Sequence, residues 1–507
     1  MKKKLELKGK IDWVTTLIPF IIVLILMSVF MLMPEQSKSF VENLRGFFGD
    51  TFGIYYSILG VSCIILSLYI AFSKKYGTIK LGNIDNPIYS NFKWGTMIFT
   101  STMAADILFY SLCEWALYGS EPYLSKLGSM QQWAPTFTLF HWGPIAWSFY
   151  VVLAICFSFM MHVQKRDRQR FSEACRPLLG NKVDGVYGKI IDVIAVFAMI
   201  CATATTFSLA TPLLAEALAS VLNITASIGL TIIILLLICA IYTITVLFGL
   251  SGISKLAEFC SYLFFALLLY FLFLGGEARY IIETGFSSLG NMIQNFVSLS
   301  TYMDPLRESS FPQNWTIYYW AYWLVWCIAT PFFIALISKG RTIRQTVLGT
   351  YGWGLAGTFM SFIILGNYGL SQQLKHDLDI TGFITNGGEI YDAILKIFDT
   401  LPLPALALIM LSITMIAFYS TTFDGITYVA SSYSYHHISA DEEPSKKIRS
   451  LWGVMLILFP IALLFSENTL YSLQSVTIIA AFPVGILLIL IVCSFFKDIN
   501  NYIKQNK

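Results

Sequence analysis

The sequence predicts an all-α polytopic membrane protein, and three observations predict it. Hydrophobic residues make up 56% of the 507 positions and charged residues only 12%, about half the charge of an ordinary soluble domain. Apolar runs of about 18 residues or more, each able to cross about 30 Å of hydrocarbon, recur from one end of the chain to the other. Most of the 33 Lys and Arg residues fall in alternate connecting segments such as MKKKLELKGK, SKKYGTIK, HVQKRDRQR and SKGRTIRQ. That bias places those segments on the cytoplasmic side of a plasma membrane.

Twelve spans follow, at 13–33, 51–73, 92–118, 135–163, 185–221, 226–249, 255–278, 315–338, 346–370, 401–433, 449–466 and 472–496. An even number puts both termini in the cytoplasm. The first span follows a basic start but is long and has no small-x-small cleavage site, so it is read as retained. The fifth and tenth exceed the membrane thickness, which calls for tilt, a bend or extension into water. Between the seventh and eighth, IIETGFSSLGNMIQNFVSL (281–299) is too polar to span yet places apolar residues at helical intervals. It is predicted as a helix along the outer surface.

That segment divides two blocks of five spans. The predicted organisation is a cytosolic N-terminus with two preface helices (1–91), a five-helix repeat (92–280), the surface segment (281–314), a second five-helix repeat (315–496) and a short cytosolic tail (497–507). Five helices per block give the blocks opposite orientation, as in inverted-repeat secondary transporters.

The remaining composition excludes other classes. Nine cysteines are scattered without a CxxC, and five histidines form no group at metal-binding spacing; they carry no disulfide framework or metal signature. No nucleophile–base pair or phosphate-binding loop is legible, so neither an enzyme nor a resident cofactor is expected. The net charge of +3 reflects the cytoplasmic loops and does not indicate nucleic-acid binding.

Chemistry concentrates in a few spans. The eighth reads WTIYYWAYWLVW from Trp315 to Trp326. At 100° per residue, Trp315, Tyr318, Tyr319, Tyr322, Trp323 and Trp326 share an arc of about 140°, with Trp320 outside it. Such a wall of ring faces suits a quaternary ammonium, which has no N–H to donate and is held by ring quadrupoles; an interfacial aromatic belt is the alternative. Asp106 lies mid-span in TSTMAADILFYSLCEW. A carboxylate there costs about 2.5–3.5 kcal/mol, so it faces protein or a cavity, as counter-charge for a cationic substrate, as proton carrier or as partner of a polar neighbour. Glu114, Glu216, Glu258 and Asp424 are read as structural or near helix ends. The fourth span opens FHWGPIAWSFY: Pro144 distorts its first turns, Trp147 and Tyr150 share a face, and with Trp142 they could complete a cage around Trp323 and Trp326, or simply pack. In the tenth, FYSTTFDG offers the Phe418 carbonyl and the Thr421 and Thr422 hydroxyls as hard donors for sodium, though such threonines commonly bond to a preceding carbonyl.

In FHWGPIAWSFY, in FPQNWTIYYWAYWLVW with its FFIALISKGRTIRQ exit, and in the FxxTT segment, the sequence resembles the betaine/choline/carnitine transporter family across its whole length. The resemblance implies a homotrimer in the bilayer, a two-helix preface to an inverted five-helix repeat, and a central trimethylammonium site. Carried over by motif, Trp142, Trp147, Tyr150, Trp323 and Trp326 are the cage, with Tyr322 where many members have Trp. Asp106 stands where betaine carriers have a glycine-rich stretch and resembles the choline-transporting members. Charge agrees: the carboxylate attracts choline and repels the carboxylates of betaine and carnitine. Cys260 and Thr330 occupy positions where sodium-independent carnitine exchangers have Arg and Met. One sodium site, at Met103, Phe418, Thr421 and Thr422, is implied, and a second matches only in part, at Thr203. The short tail implies no strong osmosensing. The expected function is import of choline by Na+ or H+ symport with alternating access; the alternatives are a glycine betaine or carnitine symporter, or an exchanger.

Overall fold

The computed structural model describes residues 5–6, 11–101, 104–166, 168–248, 251–438, 442–465 and 470–506. Every predicted span has a helical counterpart. In chain order these are α1 (Trp13–Leu32), α2 (Gly53–Phe72), α3 (Asn91–Thr100), α4 (Ala105–Gly119), α5 (Met130–His141), α6 (Pro144–Ser158), α7 (Val186–Leu222) and α8 (Ile228–Phe248). They continue as α9 (Ser251–Leu269), α10 (Ala278–Thr301), α11 (Ile317–Trp326), α12 (Thr330–Ile337), α13 (Ile343–Ser361), α14 (Pro404–Tyr433), α15 (Lys446–Phe465) and α16 (Leu470–Gln505). Among the described residues six helices are long and apolar enough to cross a membrane, or up to nine if each bent pair is one span. The chain is a multi-pass, all-helical membrane protein. A two-residue parallel pairing of Leu5–Glu6 with Glu442–Glu443 and single bridges at Ile11–Tyr435 and Lys80–Thr342 are the strand features among the described residues, too short for periodicity to reveal.

Local sequence explains where helices start and stop. The Ser90 side chain accepts from the Lys93 amide ahead of α3, and Thr342 and Gln345 form a reciprocal capping box ahead of α13, so the first orphan N–H groups are satisfied. Pro331 sits in the first turn of α12. Lacking an N–H and crowding the preceding turn, it cannot continue α11, and the two segments meet at 54°. α3 and α4 meet at 65°. The first span of each predicted repeat is thus covered by two helices set at an angle to each other. α7, by contrast, runs unbroken through 37 residues despite Pro212. α16 extends through most of the predicted tail, to Gln505.

α10 turns away from the preceding helix at 109°. It buries Thr284, Gly285, Ser288 and Met292, while Ile282, Phe286, Ile293 and Val297 form an exposed stripe. Gly285 is required: a Cβ there would come within 2.4 Å of Ile363. Within the bundle α7 packs on α4, α11, α14, α15 and α16, and α6 packs on α11, α12 and α13. These contacts place α11 between α6 and α7, with α4 against α7 and α12 against α6.

Candidate substrate site

The break between α3 and α4 places Asp106 in the first turn of α4, where the partial positive charge of the helix N-terminus favours a carboxylate. The side chain is 5% exposed. Tyr322 donates to Oδ2, and the Tyr322 hydroxyl lies 2.6 Å from Thr206 Oγ1 on α7. Among the described residues Oδ1 has no side-chain partner, and besides Tyr322 only the backbone amides of Asp106 and Ile107 at the helix start face the carboxylate. A buried carboxylate oxygen short of donors is costly, and no Lys or Arg among the described residues pairs with Asp106.

The interruption at Trp142–Gly143, ahead of Pro144 at the start of α6, turns two indoles inward from successive helices. Gly143 fits because a Cβ would lie 2.4 Å from the Leu139 carbonyl oxygen. Trp323 of α11 is the hub. Its ring centroid is 4.8 Å from Tyr150, 5.5 Å from Trp147 and 5.7 Å from Trp142. Trp142 also faces Tyr322 at 6.3 Å, which joins the ring cluster to Asp106. Gly354 of α13 backs the far side of Trp147.

Trp142 Nε1 donates to Glu114 Oε2 at 2.7 Å, but the indole nitrogens of Trp147, Trp323 and Trp326 have no acceptor among the described residues. The rings touch one another. A cation about 5 Å from each of two opposed rings would need centroids about 10 Å apart, so the cluster must part to admit an ammonium.

The structure thus assembles Asp106, Tyr322, Trp142, Trp147, Tyr150 and Trp323. Trp326 lies one turn beyond Trp323, partly buried at the end of α11, and enters none of these ring contacts. Trp320, outside the predicted arc, is also fully buried, against Phe140 and His141. Of the sodium candidates, Thr421 donates to the Phe418 carbonyl at 3.0 Å and Thr203 to the Met199 carbonyl at 2.8 Å, each keeping oxygen lone pairs free. Thr422 is half-buried on the same turn. Met103 and the side chains of Glu258 and Cys260 lie outside the described residues. Asp424 is paired with Arg449.

Glu114, read from the sequence as structural or near a helix end, accepts from Trp142 of the ring cluster. Its signal was present: Asp106, Tyr110, Glu114 and Tyr118 recur every fourth residue and line one face of α4.

A buried carboxylate thus lies beside a closed cluster of aromatic rings inside a multi-pass helical bundle. The sequence profile of the betaine/carnitine/choline family of transporters matches residues 14–504, and the chain belongs to that family, whose members are transporters of quaternary ammonium compounds and not enzymes. A probable glycine betaine transporter of Desulfitobacterium hafniense (strain Y51) is 30% identical over 478 residues, 92% of this chain and 94% of its own. The carnitine transporter of Acinetobacter baumannii is 28% identical over 432 residues, 84% of this chain and 78% of its own. The glycine betaine transporter OpuD of Bacillus subtilis (strain 168) is 27% identical over 481 residues, 94% and 92% of the two chains.

Proposed function

We propose that this chain imports choline by secondary active transport, coupled to Na+ or H+, with alternating access. The observation that carries the reading is Asp106: buried, with one oxygen held by Tyr322 and the other without a side-chain partner among the described residues, next to the ring cluster. Choline brings a positive charge and no carboxylate, so it completes that site, whereas the carboxylate of betaine or carnitine would meet Asp106. Trp142, Trp147, Tyr150, Tyr322, Trp323 and Trp326 supply the ring faces. Phe418, Thr421 and Thr422, with Met103, are the residues assigned to a sodium ion, and Thr203 belongs to a partial second site. An inside-negative potential adds about 2.3 kcal/mol per 100 mV for each positive charge carried inward.

The architecture belonging to this reading has twelve spans in a plasma membrane with both termini cytoplasmic. Its parts are the preface helices in 1–91, repeats at 92–280 and 315–496 of opposite orientation, the surface segment 281–314 and the tail 497–507; the assembly is a homotrimer. The paired breaks at 65° and 54° support the repeat relation. A second reading, a glycine betaine or carnitine carrier, is favoured by the names of the relatives.

The test is uptake of labelled choline into proteoliposomes empty of substrate, under an imposed Na+ or pH gradient, with unlabelled glycine betaine and carnitine as competitors. Gradient-driven choline uptake that betaine displaces only weakly is expected. Displacement by betaine or carnitine at lower concentrations than by choline would hand the site to the second reading, and uptake that requires internal substrate would make the protein an exchanger.

A further inference from the structure

Around Glu114, four buried side chains form one chain of hydrogen bonds. Glu114 is fully buried, as is His141; Thr316 is 3% exposed. Glu114 and Tyr118 are hydrogen-bonded, the Tyr118 hydroxyl is 2.6 Å from His141 Nδ1, and His141 Nε2 is 3.0 Å from Thr316 Oγ1. The other carboxylate oxygen of Glu114 accepts from Trp142 Nε1 at 2.7 Å. The titratable groups facing Glu114 are Tyr110, Cys113 and Tyr118 on its own helix, His141 on α5, and Tyr318 and Tyr319 on α11. Among the described residues no Lys or Arg pairs with it.

Every link in this chain can run in either direction, because a phenol, a neutral imidazole and a threonine hydroxyl each both donate and accept. With Glu114 ionised, Thr316 donates to His141 Nε2, His141 Nδ1–H donates to Tyr118, and Tyr118 donates to the carboxylate. A proton reaching His141 Nε2 at the Thr316 end lets Nδ1 pass its proton to the Tyr118 oxygen, which passes its own to Glu114. The result is one proton gained at the carboxyl and all three hydrogen bonds reversed. Thr316 lies beside the segment that the charge bias places outside.

Resting on the transport reading above, we propose that Glu114 is a proton-binding site loaded from outside through Thr316, His141 and Tyr118, and that its proton travels with the cation. The link to the cation is Trp142. Ionised, Glu114 holds the indole by a charge-assisted hydrogen bond, about twice as strong as a neutral one; protonated, it loosens a ring that packs on Trp323. Whatever moves Trp142 must then shift the proton affinity of Glu114 by the same coupling.

The test is choline-driven acidification of the lumen of proteoliposomes, read by a trapped pH dye, alongside choline uptake and choline–choline exchange. Glu114→Gln imitates the protonated carboxyl, because its amide can donate to Tyr118 while its oxygen accepts from Trp142. Its expected phenotype is persistent exchange with proton entry down at least tenfold. Tyr118→Phe, which keeps the carboxyl and cuts the chain, should slow proton entry at least tenfold as well, and covers the case in which Glu114→Gln does not fold. Proton entry at the wild-type rate in either folded variant, or choline uptake by the wild type with no proton movement, overturns the proposal. Wild-type protein that transports none of choline, betaine and carnitine overturns the transport reading instead.

Discussion

Replacing Asp106 by Asn removes one negative charge while changing almost no volume. The amide oxygen can still accept from the Tyr322 hydroxyl that now bonds Oδ2, so the geometry of the first turn of α4 is kept. A quaternary nitrogen about 5 Å from the carboxylate, at an effective dielectric of about 20, is attracted by about 3 kcal/mol. The carboxylate is 5% exposed and has no basic partner among the described residues, so neither solvent nor an internal cation takes that energy away. Choline affinity should therefore fall by about two orders of magnitude. Glycine betaine should bind the variant as well as or better than the parent, because the charge that repels its carboxylate is gone. Tryptophan fluorescence or calorimetric titration of purified protein with both ligands reads the two affinities side by side. A choline Kd within threefold of the parent, or a parallel loss for betaine, would refute the reasoning.

Three further outcomes are expected. Trp323→Phe keeps a ring at the hub of the cluster but gives up the larger π face, and should weaken choline by about 1–2 kcal/mol, read as a five- to thirtyfold rise in Kd. Gly354→Ala would bring a Cβ to 2.6 Å from the Trp147 ring; overpacking of this kind costs about 1–3 kcal/mol, and a lowered thermal midpoint with weakened choline binding checks it. Asp304, 3% exposed in the loop after α10, has its carboxyl held below the ordinary range: burial opposes this, but amide N–H groups of Ser309 and Ser310, each at 2.8 Å, and of Glu308 at 3.1 Å prevail. A folded value below the unfolded one contributes stability that is complete above the unfolded pKa of about 4 and is lost as pH falls through the folded value. Thermal melts taken downward from pH of about 5 should therefore show a loss that Asp304→Asn abolishes.

The aromatic face of α11, the mid-span placement of Asp106 and the proline that ends α11 were legible because each follows from local periodicity or from one residue's backbone chemistry. Trp323 and Tyr322 could be placed on one face by counting. Their partners could not: Trp147 and Tyr150 belong to a helix about 175 positions earlier, and Thr206 to a third. The inclusion of Trp320 in the core shows the same limit, since a helix surrounded by protein on all sides buries every face and its pattern no longer tells inside from outside.

What the sequence determined by itself is a helical membrane chain of a recognisable family, with a carboxylate and a run of rings at membrane depth. Hydropathy, helical spacing and loop charge are properties of neighbouring residues, and they need no fold to be read. The tertiary structure decided which indoles meet, that one oxygen of Asp106 has no side-chain partner among the described residues, and that Glu114, Tyr118, His141 and Thr316 join in one chain. Those facts depend on where helices break and at what angle they cross, and interactions between residues far apart in sequence set both.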